Sequence, residues 1–388
     1  MGTTETLERE VGRLLRARVE VEAYLGRKGR AVVARLRLED GSSVVVKGQP
    51  SSAAASTTDD PWSPANRFRN ELSALSVLGG AGGLVPALRA VDLDRQWMVL
   101  EDLGPVTSLA DALLNDDPEA AEVALCGWAT AVGRLHQFAV ESELLPRWES
   151  RRRALGGSIE QEAATALLES AGPTLEPFVA VRADVRDAAR EVDRRLHTRE
   201  FWALSPRDPC PDNCARRPDG SYLLFDFEGA GARHALLDAA YLVSTFPTCW
   251  CTGPLPARAR ERALEAYRLA ARWPCDATEF RAHLAGAAAF HVLWVLDRRL
   301  PLALAASGGE IHPLPEMGFV FPSFRQIIAL ALDDLGAAVA DDDRLEPLAR
   351  FGVSLRRALA DRLGPLEVPP PHPAFRSSGA STRPPTHH

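Results

Sequence analysis

Three features are missing from this sequence: a long apolar run, a surplus of basic residues and a signal peptide. No apolar run reaches the roughly 18 residues that a membrane-spanning helix needs. The 388 residues include 45 Lys and Arg against 52 Asp and Glu, and this net charge of −7 argues against nucleic-acid binding. The N-terminal residues MGTTETLEREVGRLL carry charges where a signal peptide needs an apolar core. We therefore expect a cytoplasmic protein that binds neither membranes nor nucleic acids.

Cysteine is scarce as well. The six cysteines form no CxxC pair, and none has a histidine at zinc-finger spacing. We expect reduced thiols, and we do not expect Cys210 and Cys214 to bind a soft metal. With 46% hydrophobic and 25% charged residues, the chain has the composition of a globular protein long enough for two lobes.

The first hundred residues alternate between apolar and polar positions, which is typical of half-buried strands. After a helix predicted at 5–16, strands are predicted at 19–25, 31–38, 43–48, 84–93 and 96–100. They predict a five-stranded antiparallel sheet, interrupted at 49–64 by a Ser-, Asp- and Pro-rich stretch that we expect to be mobile. From residue 109 onward, the pattern is predominantly helical. The fold class is therefore α+β.

The stretch FWALSPRDPCPDNCARRPDGSYLLFDFEG, at 201–229, contains the strongest candidate site. Asp208 is followed five residues later by Asn213, and Asp226 comes within a run of Leu and Phe. Pro-Asp-Gly between the last two predicts a hairpin turn, which would bring Asn213 and Asp226 side by side. An ionised aspartate among apolar residues is costly unless it is paired or bound to a metal. Oxygen ligands of this kind suit Mg²⁺.

This arrangement is the one that phosphoryl transfer from ATP uses. Asp208 would orient the acceptor hydroxyl, while Asn213 and Asp226 would hold Mg²⁺ on the phosphates. Lys47 ends the third predicted strand in Val-Val-Val-Lys, where a lysine can reach the phosphates. Glu71, on the following predicted helix, is placed to pair with it. A strand-edge lysine and aspartates that only cap turns are the structural alternatives.

The D-x4-N spacing, followed by an aspartate at a strand end, resembles the aminoglycoside phosphotransferase family of kinase-like small-molecule kinases. The resemblance covers most of the chain and implies a two-lobed, protein-kinase-like fold. The N-lobe with its hinge would span 1–104, the mostly helical C-lobe 105–365 and a disordered tail 366–388. Adenine would bind backbone groups of Glu101 and Leu103 in the hinge. The implied cofactors are ATP, with GTP as the alternative nucleotide, and Mg²⁺.

The sequence also departs from that family. Pro206 and Arg207 stand where the family usually has His-Gly before the aspartate, so the loop must be braced from elsewhere. Asp238 matches the D-x-A segment that braces this loop in the family. Phe-Glu follows Asp226, and Glu228 could contact a metal or the substrate.

We predict transfer of the γ-phosphate of ATP to a hydroxyl of a small molecule, and we favour a natural-product antibiotic on family resemblance alone. A kinase of an amino sugar, sugar or amino alcohol shares these motifs. Because the His-Gly is absent, a nucleotide-binding pseudokinase that scaffolds partners is the alternative from another functional class, although the metal ligands are intact. The strands before residue 100 disfavour a purely helical regulatory protein.

We expect a monomer or homodimer. His291, Trp294, Trp273, Asp297 and Glu316 are candidates for the acceptor pocket.

Overall fold

The computed structural model describes residues 4–25, 32–48, 62–79, 81–156, 162–305 and 321–376. Its N-terminal elements are α1 (Thr4–Leu15), β1 (Val19–Tyr24), β2 (Val32–Leu38), β3 (Ser43–Gly48), α2 (Pro64–Leu78), β4 (Leu88–Asp92) and β5 (Trp97–Glu101). Strand β4 is shorter than predicted because the backbone N–H of Leu84 closes a turn onto the Ala81 carbonyl at 3.0 Å. Most of the stretch at 49–64 lies outside the described residues.

The five strands form one antiparallel sheet in the order β1-β2-β3-β5-β4, which confirms the predicted fold class. Val44 and Val46 of β3 are buried in a small core with Val11 of α1. Because successive side chains of a strand point to opposite faces, Lys47 lies on the other face of the sheet. The sheet is therefore covered by α1 on one side and open to the rest of the molecule on the other.

Helix α2 begins where the sequence supplies its capping groups. The Ser63 side chain accepts a hydrogen bond from the backbone N–H of Asn66, and Pro64 occupies the first turn. The apolar face of the helix is buried in the main core through Phe68, Leu72, Leu75 and Leu78. Glu71 is buried too.

The C-terminal part is built from helices. They are α3 (Leu109–Leu114), α4 (Pro118–Glu141), α5 (Leu144–Ala154), α6 (Ala164–Leu175), α7 (Ala183–Leu196), α8 (Leu236–Ala239), α9 (Ala257–Ala271), α10 (Ala277–Leu304), α11 (Phe324–Ala338) and α12 (Glu346–Leu363). Helix α4 packs along α9, with Trp128 fully buried in the core. Within the described ranges, no helix is long and apolar enough to cross a membrane.

Four short strands support the stretch at 201–229. They are β6 (Trp202–Ser205), β7 (Cys214–Arg216), β8 (Tyr222–Leu224) and β9 (Gly231–His234). The predicted hairpin is present as β7 and β8, and Gly220 adopts the positive φ of 84° that its turn requires. Helix α8 is only four residues long, and the residues before it form β9 and pair with β6.

The C-terminal stretch differs from the expected disordered tail. Residues 366–376 are ordered, and a 3₁₀ turn at Pro373–Phe375 packs against α3. The His372 imidazole is buried and lies 2.8 Å from the Cys251 carbonyl oxygen, a tertiary contact that a Pro-rich composition does not reveal. Residues 377–388 lie outside the described residues.

Candidate active site

The loop after β6 carries Asp208. The preceding residue, Arg207, has a φ of 70°, a strained conformation for a residue with a long side chain. The side-chain amide of Asn213 donates to the Asp208 carbonyl at 3.0 Å, and its backbone N–H donates to the Cys210 carbonyl at 2.9 Å. These bonds fold the loop back on itself, and they leave the Asn213 Oδ1 atom as an acceptor.

Two hydroxyl groups hold the Asp208 carboxylate. Thr248 Oγ1 donates to Asp208 Oδ1 at 3.0 Å, and the Tyr241 hydroxyl lies 3.3 Å from the same oxygen. The carboxylate is accessible from the cleft, yet protein surrounds it on its other sides. This partial burial raises the pKa of Asp208 to about 6, although the Thr248 hydrogen bond opposes the rise. Such a carboxylate can orient a hydroxyl and take its proton.

Asp226 follows β8 and lies beside Asn213. The backbone N–H of Phe225 donates to the Asn213 carbonyl at 3.1 Å, which continues the hairpin pairing by one step. Asp226 then turns out of the strand with a φ of 64°. Strained backbone of this kind often occurs at functional sites. The amide and carboxylate oxygens of Asn213 and Asp226 are hard donors, and this donor set fits Mg²⁺.

Lys47 lies between two carboxylates. Its Nζ atom is 2.7 Å from Glu71 Oε2 and 2.5 Å from Asp226 Oδ1, so β3, α2 and the residue after β8 meet at one ammonium group. Burial lowers the pKa of Lys47, but the two carboxylates outweigh burial and hold the pKa well above its usual value. The amine therefore remains charged.

A cavity of about 270 Å³ opens between the sheet and the hinge. Apolar side chains line its walls, and Lys47 and Asp226 lie at one end of it. Glu101 and Leu103 line the hinge side. The Glu101 backbone N–H already donates to the Ala87 carbonyl at 2.8 Å, so the group that Glu101 can offer a base is its carbonyl.

A second cavity, of about 260 Å³, lies between the Asp208 loop and α10. Its lining includes Asp208, Asn213, Asp226, Thr248, Trp62, Glu162, Phe290, His291 and Trp294. His291 and Trp294 were candidates from the sequence, whereas Trp273 is buried against Phe201 and Asp297 does not line this cavity. Glu316 lies outside the described residues. Asp226 lines both cavities.

Arg233 braces the Asp208 loop, a role that the sequence did not reveal. Its guanidinium donates to Ser205 Oγ at 2.9 Å and to the Arg207 carbonyl at 3.2 Å, and it pairs with Asp238. Asp238 is fully buried and also contacts His136 Nε2 at 2.9 Å. Arg233 thus braces a loop that lacks the His-Gly, and the pairing of β9 with β6 brings it to that loop.

A disulfide corrects the expectation of reduced thiols for two of the six cysteines, whereas the other four are free. Cys210 of the loop is bonded to Cys249, which lies 39 residues further along the chain. Atoms of Asp208, Cys210 and Cys249 lie within 4.8 Å of one another, which is metal-ligand spacing. The two sulfurs are bonded to each other, however, so they cannot act as thiolate ligands.

Glu228 connects the site to α2. Its carboxylate pairs with Arg67 at 3.2 Å, and its backbone carbonyl accepts from the Asn70 side chain at 3.0 Å. The buried Arg152 guanidinium of α5 also donates to Asn70. These contacts fix the helix that carries Glu71. Glu228 therefore holds α2 in position and also lines the second cavity.

The comparisons with known proteins agree with this architecture. A model of the phosphotransferase enzyme family matches residues 27–308. This chain belongs to that family. It is therefore a small-molecule phosphotransferase, which favours an enzyme over a pseudokinase scaffold. No curated protein sequence matches the chain significantly.

Two solved structures illustrate the fold of this phosphotransferase. An amicoumacin kinase in complex with AMP-PNP, Ca²⁺ and Ami has a TM-score of 0.50 at 16% identity, over 91% of this chain and 93% of that one. A Plasmodium vivax ethanolamine kinase has a TM-score of 0.50 at 13% identity, over 86% and 83% of the two chains. At these identities, the likeness shows the two-lobed kinase-like fold.

Proposed function

We propose that this phosphotransferase moves the γ-phosphate of ATP to a hydroxyl group of a natural-product antibiotic. The observation that carries the proposal is the position of Asp226, which lines both cavities. A phosphate held at Asp226 would face the nucleotide on one side and Asp208 on the other. Transfer needs this juxtaposition of donor and acceptor, because catalysis of phosphoryl transfer is mostly positioning and charge stabilisation.

Each residue of the site has a role in this proposal. Lys47, held by Glu71, would bind the phosphates, and Asp208 would orient the acceptor hydroxyl and take its proton late in the reaction. Asn213 and Asp226 would hold Mg²⁺, which supplies neutralisation of the phosphate charge. In the present structure, Asp226 contacts the Lys47 ammonium at 2.5 Å. Binding of nucleotide would therefore require that ammonium to exchange a carboxylate for phosphate oxygens.

The hinge would hold the base of the nucleotide. The Glu101 carbonyl and the backbone of Leu103 border the apolar cavity, and an adenine ring fits between apolar walls of this kind. The side chain of Glu101 accepts from the Ala87 backbone N–H at 3.0 Å. GTP is the alternative nucleotide, and competition between ATP and GTP for the same site would separate the two.

The lining of the second cavity, rather than its volume of about 260 Å³, supports an acceptor that carries both apolar and charged groups. Phe290 and Trp294 offer apolar surfaces, and Glu162 offers a charge for an ammonium group. The amicoumacin kinase with the same fold acts as a precedent for an antibiotic acceptor. Because an ethanolamine kinase has a similar fold, an amino alcohol is the second candidate acceptor.

A screen of ADP production tests this proposal. The panel consists of aminoglycosides, nucleoside and peptide antibiotics, macrolides, amino sugars and choline-like alcohols, with the Asp208→Asn enzyme as the inactive control. We expect turnover with an antibiotic, and mass spectrometry should locate the new phosphate on oxygen. Turnover with an amino alcohol alone would support the second candidate. A product phosphorylated on nitrogen would contradict the assignment of Asp208.

We also propose that the enzyme acts in the cytoplasm as a monomer or homodimer, where ATP is available. Light scattering during gel filtration would measure the oligomeric state, and a larger assembly would contradict this part of the proposal.

A further inference from the structure

The disulfide joins the Asp208 loop to the segment at 245–252, which we call the acceptor segment. Cys210 and Cys249 are both buried, and their Cα atoms are 5.8 Å apart. Thr248, the neighbour of Cys249, lines the second cavity. The covalent bond therefore lies next to the residue that contacts the candidate catalytic carboxylate.

The acceptor segment supplies the main hydroxyl contact of Asp208. Thr248 Oγ1 lies 3.0 Å from Asp208 Oδ1 and 2.8 Å from the Tyr241 hydroxyl. Cys210 Sγ lies 3.1 Å from the same carboxylate oxygen. Thr248 thus helps Tyr241 to orient the carboxylate toward an acceptor, and a shift of about 1 Å at such a contact can be costly for transfer.

The first half of the acceptor segment has its own attachments. Thr245 and Phe246 have φ values of 47° and 58°, a strained conformation for a β-branched and a bulky residue. Thr245 Oγ1 donates to Asp334 at 2.9 Å, and Thr252 Oγ1 donates to the Thr245 carbonyl at 2.6 Å. Phe246 is fully buried. Loss of the disulfide would leave these contacts in place, so the fold would survive.

The part of the segment at 248–250 is attached to the Asp208 loop, besides the contact of the Trp250 ring with Phe321 and the hydrogen bond from the Cys249 backbone N–H to the Phe246 carbonyl at 3.0 Å. The disulfide holds it at Cys249, and Trp250 Nε1 donates to Asp212 Oδ2 at 2.7 Å. Without the covalent bond, the hydrogen bonds of Trp250 to Asp212 and of Thr248 to Asp208 and Tyr241 would remain, so non-covalent contacts alone would hold this part of the segment. The consequence should be a displaced Thr248 and a less well oriented Asp208.

We propose that the Cys210–Cys249 disulfide is a redox-sensitive positioning element, which keeps Thr248 against Asp208 and so supports phosphoryl transfer. This inference rests on the proposed function, because it assigns a role to Asp208 in transfer. In a reducing compartment, such a bond would be transient, and the enzyme would be most active when oxidised.

Reduction requires a dithiol as the co-reactant. Its thiolate attacks one sulfur of the disulfide, the sulfur–sulfur bond breaks and a mixed disulfide forms. The second thiol of the reductant then displaces the protein sulfur. The protein gains two electrons and two protons as two thiols, and the dithiol is released as a cyclic disulfide.

The experiment compares the oxidised enzyme with the enzyme reduced by dithiothreitol. Peptide mass spectrometry without reduction should show the Cys210–Cys249 crosslink in the oxidised form, and alkylation should count the thiols in both forms. Turnover is measured as Mg·ATP hydrolysis and as transfer to the acceptor found in the screen. Affinity for MgADP is measured by calorimetry, which needs no acceptor.

We expect reduction to lower kcat about tenfold, because Asp208 loses its positioning contact, while MgADP affinity stays unchanged. The Cys210→Ser and Cys249→Ser enzymes should behave as the reduced form does. Thr248→Val should lower kcat similarly, and its reduction should then change kcat less than twofold, because both changes act through one contact. Cys126→Ser, a free cysteine of α4, is the matched control and should respond to dithiothreitol as the wild type does.

Several results would overturn the proposal: no crosslink in the oxidised enzyme, a disulfide that stays closed in dithiothreitol, equal kcat in both forms, or additive effects of reduction and Thr248→Val. Equal, substantial turnover in both forms would leave the proposed function intact. A complete lack of turnover with every acceptor and with water would overturn both proposals.

Discussion

The two cavities of this enzyme are built differently. The cavity proposed for the nucleotide, the nucleotide side, includes Lys47 near the end of a central strand and Glu71 on a capped helix. The cavity proposed for the acceptor, the acceptor side, is formed by segments distant in the chain, with Trp62, Thr248 and Trp294 in its lining. The proposed nucleotide site thus takes its lysine and glutamate from neighbouring local elements, whereas the proposed acceptor pocket depends on long-range packing.

Asp226 belongs to both sides, and its loss should have the largest effect. Asp226→Asn should abolish measurable turnover and weaken Mg·ATP binding, because a hard anionic ligand is replaced by a neutral one. The fold should survive, since the Asp226 side chain is 34% exposed and Lys47 keeps its ion pair with Glu71. Calorimetry with Mg·AMP-PNP and circular dichroism would measure both. Normal Mg²⁺-dependent turnover would contradict the metal-binding role.

A variant of Asp208 should distinguish the two sides, because it should impair transfer without weakening nucleotide binding. Asp208→Asn should lower transfer by about 10²–10⁴-fold, as expected for a positioned general base, while MgADP affinity remains at the wild-type value. The amide keeps the shape of the side chain and can still accept from Thr248. Steady-state kinetics and calorimetry on the same preparation make the comparison. Undiminished transfer would remove Asp208 from the proposed mechanism.

Lys47 and Glu71 test the nucleotide side. Lys47→Met and Glu71→Gln should each weaken nucleotide binding and lower kcat, on the order of 10- to 100-fold, because either change misplaces the same ammonium. The double variant should be little worse than the stronger single variant. A double-mutant cycle on kcat/KM for ATP measures this coupling. Independent, additive effects would show that the ion pair of 2.7 Å does not act as a unit.

A variant of Arg233 tests whether the Asp208 loop depends on the contacts of that guanidinium. Arg233→Lys keeps the charge but loses the planar fork that contacts Ser205, Arg207 and Asp238 together. We expect kcat to fall about tenfold, because the loop before Asp208 loses a carbonyl contact, with little change in MgADP affinity. A change in nucleotide affinity as large as that in kcat would indicate a general structural defect instead.

Asp334 should make the stability of the acceptor side pH-dependent. Burial raises the pKa of Asp334 to about 7, although the hydrogen bond from Thr245 and the charge of Arg260 oppose the rise. The unfolded chain ionises this group near pH 4, so the folded state loses stability as pH rises from about 4 to about 7. Asp334→Asn should therefore gain about 2–4 kcal/mol relative to the wild type at pH 8, and almost nothing at pH 4.

Denaturant unfolding of both proteins at the two pH values measures this difference, and groups common to both proteins cancel in it. Parallel pH profiles would contradict the assignment. Because the nucleotide side does not contain Asp334, MgADP affinity should be equal in the two folded proteins and serves as the control.

Local sequence patterns were sufficient to predict several elements of this fold. Alternating β-branched residues predicted the sheet, and Pro-Asp-Gly predicted the hairpin that brings Asn213 beside Asp226. Those patterns also placed Lys47 and Glu71 on neighbouring elements, where their side chains meet. The signals are short-ranged because a strand, a turn or a helix cap is specified by residues within a few positions of each other.

Other features depend on contacts between residues that are distant in the chain. Strand β9 was not predicted because it becomes a strand by pairing with β6, and that pairing delivers Arg233 to the loop before Asp208. The disulfide partner of Cys210 and the hydroxyl of Thr248 lie some 40 residues away in the chain. Residues 366–376 are ordered by packing against distant helices. Such contacts arise from how the whole chain folds, and no local period of the sequence encodes them.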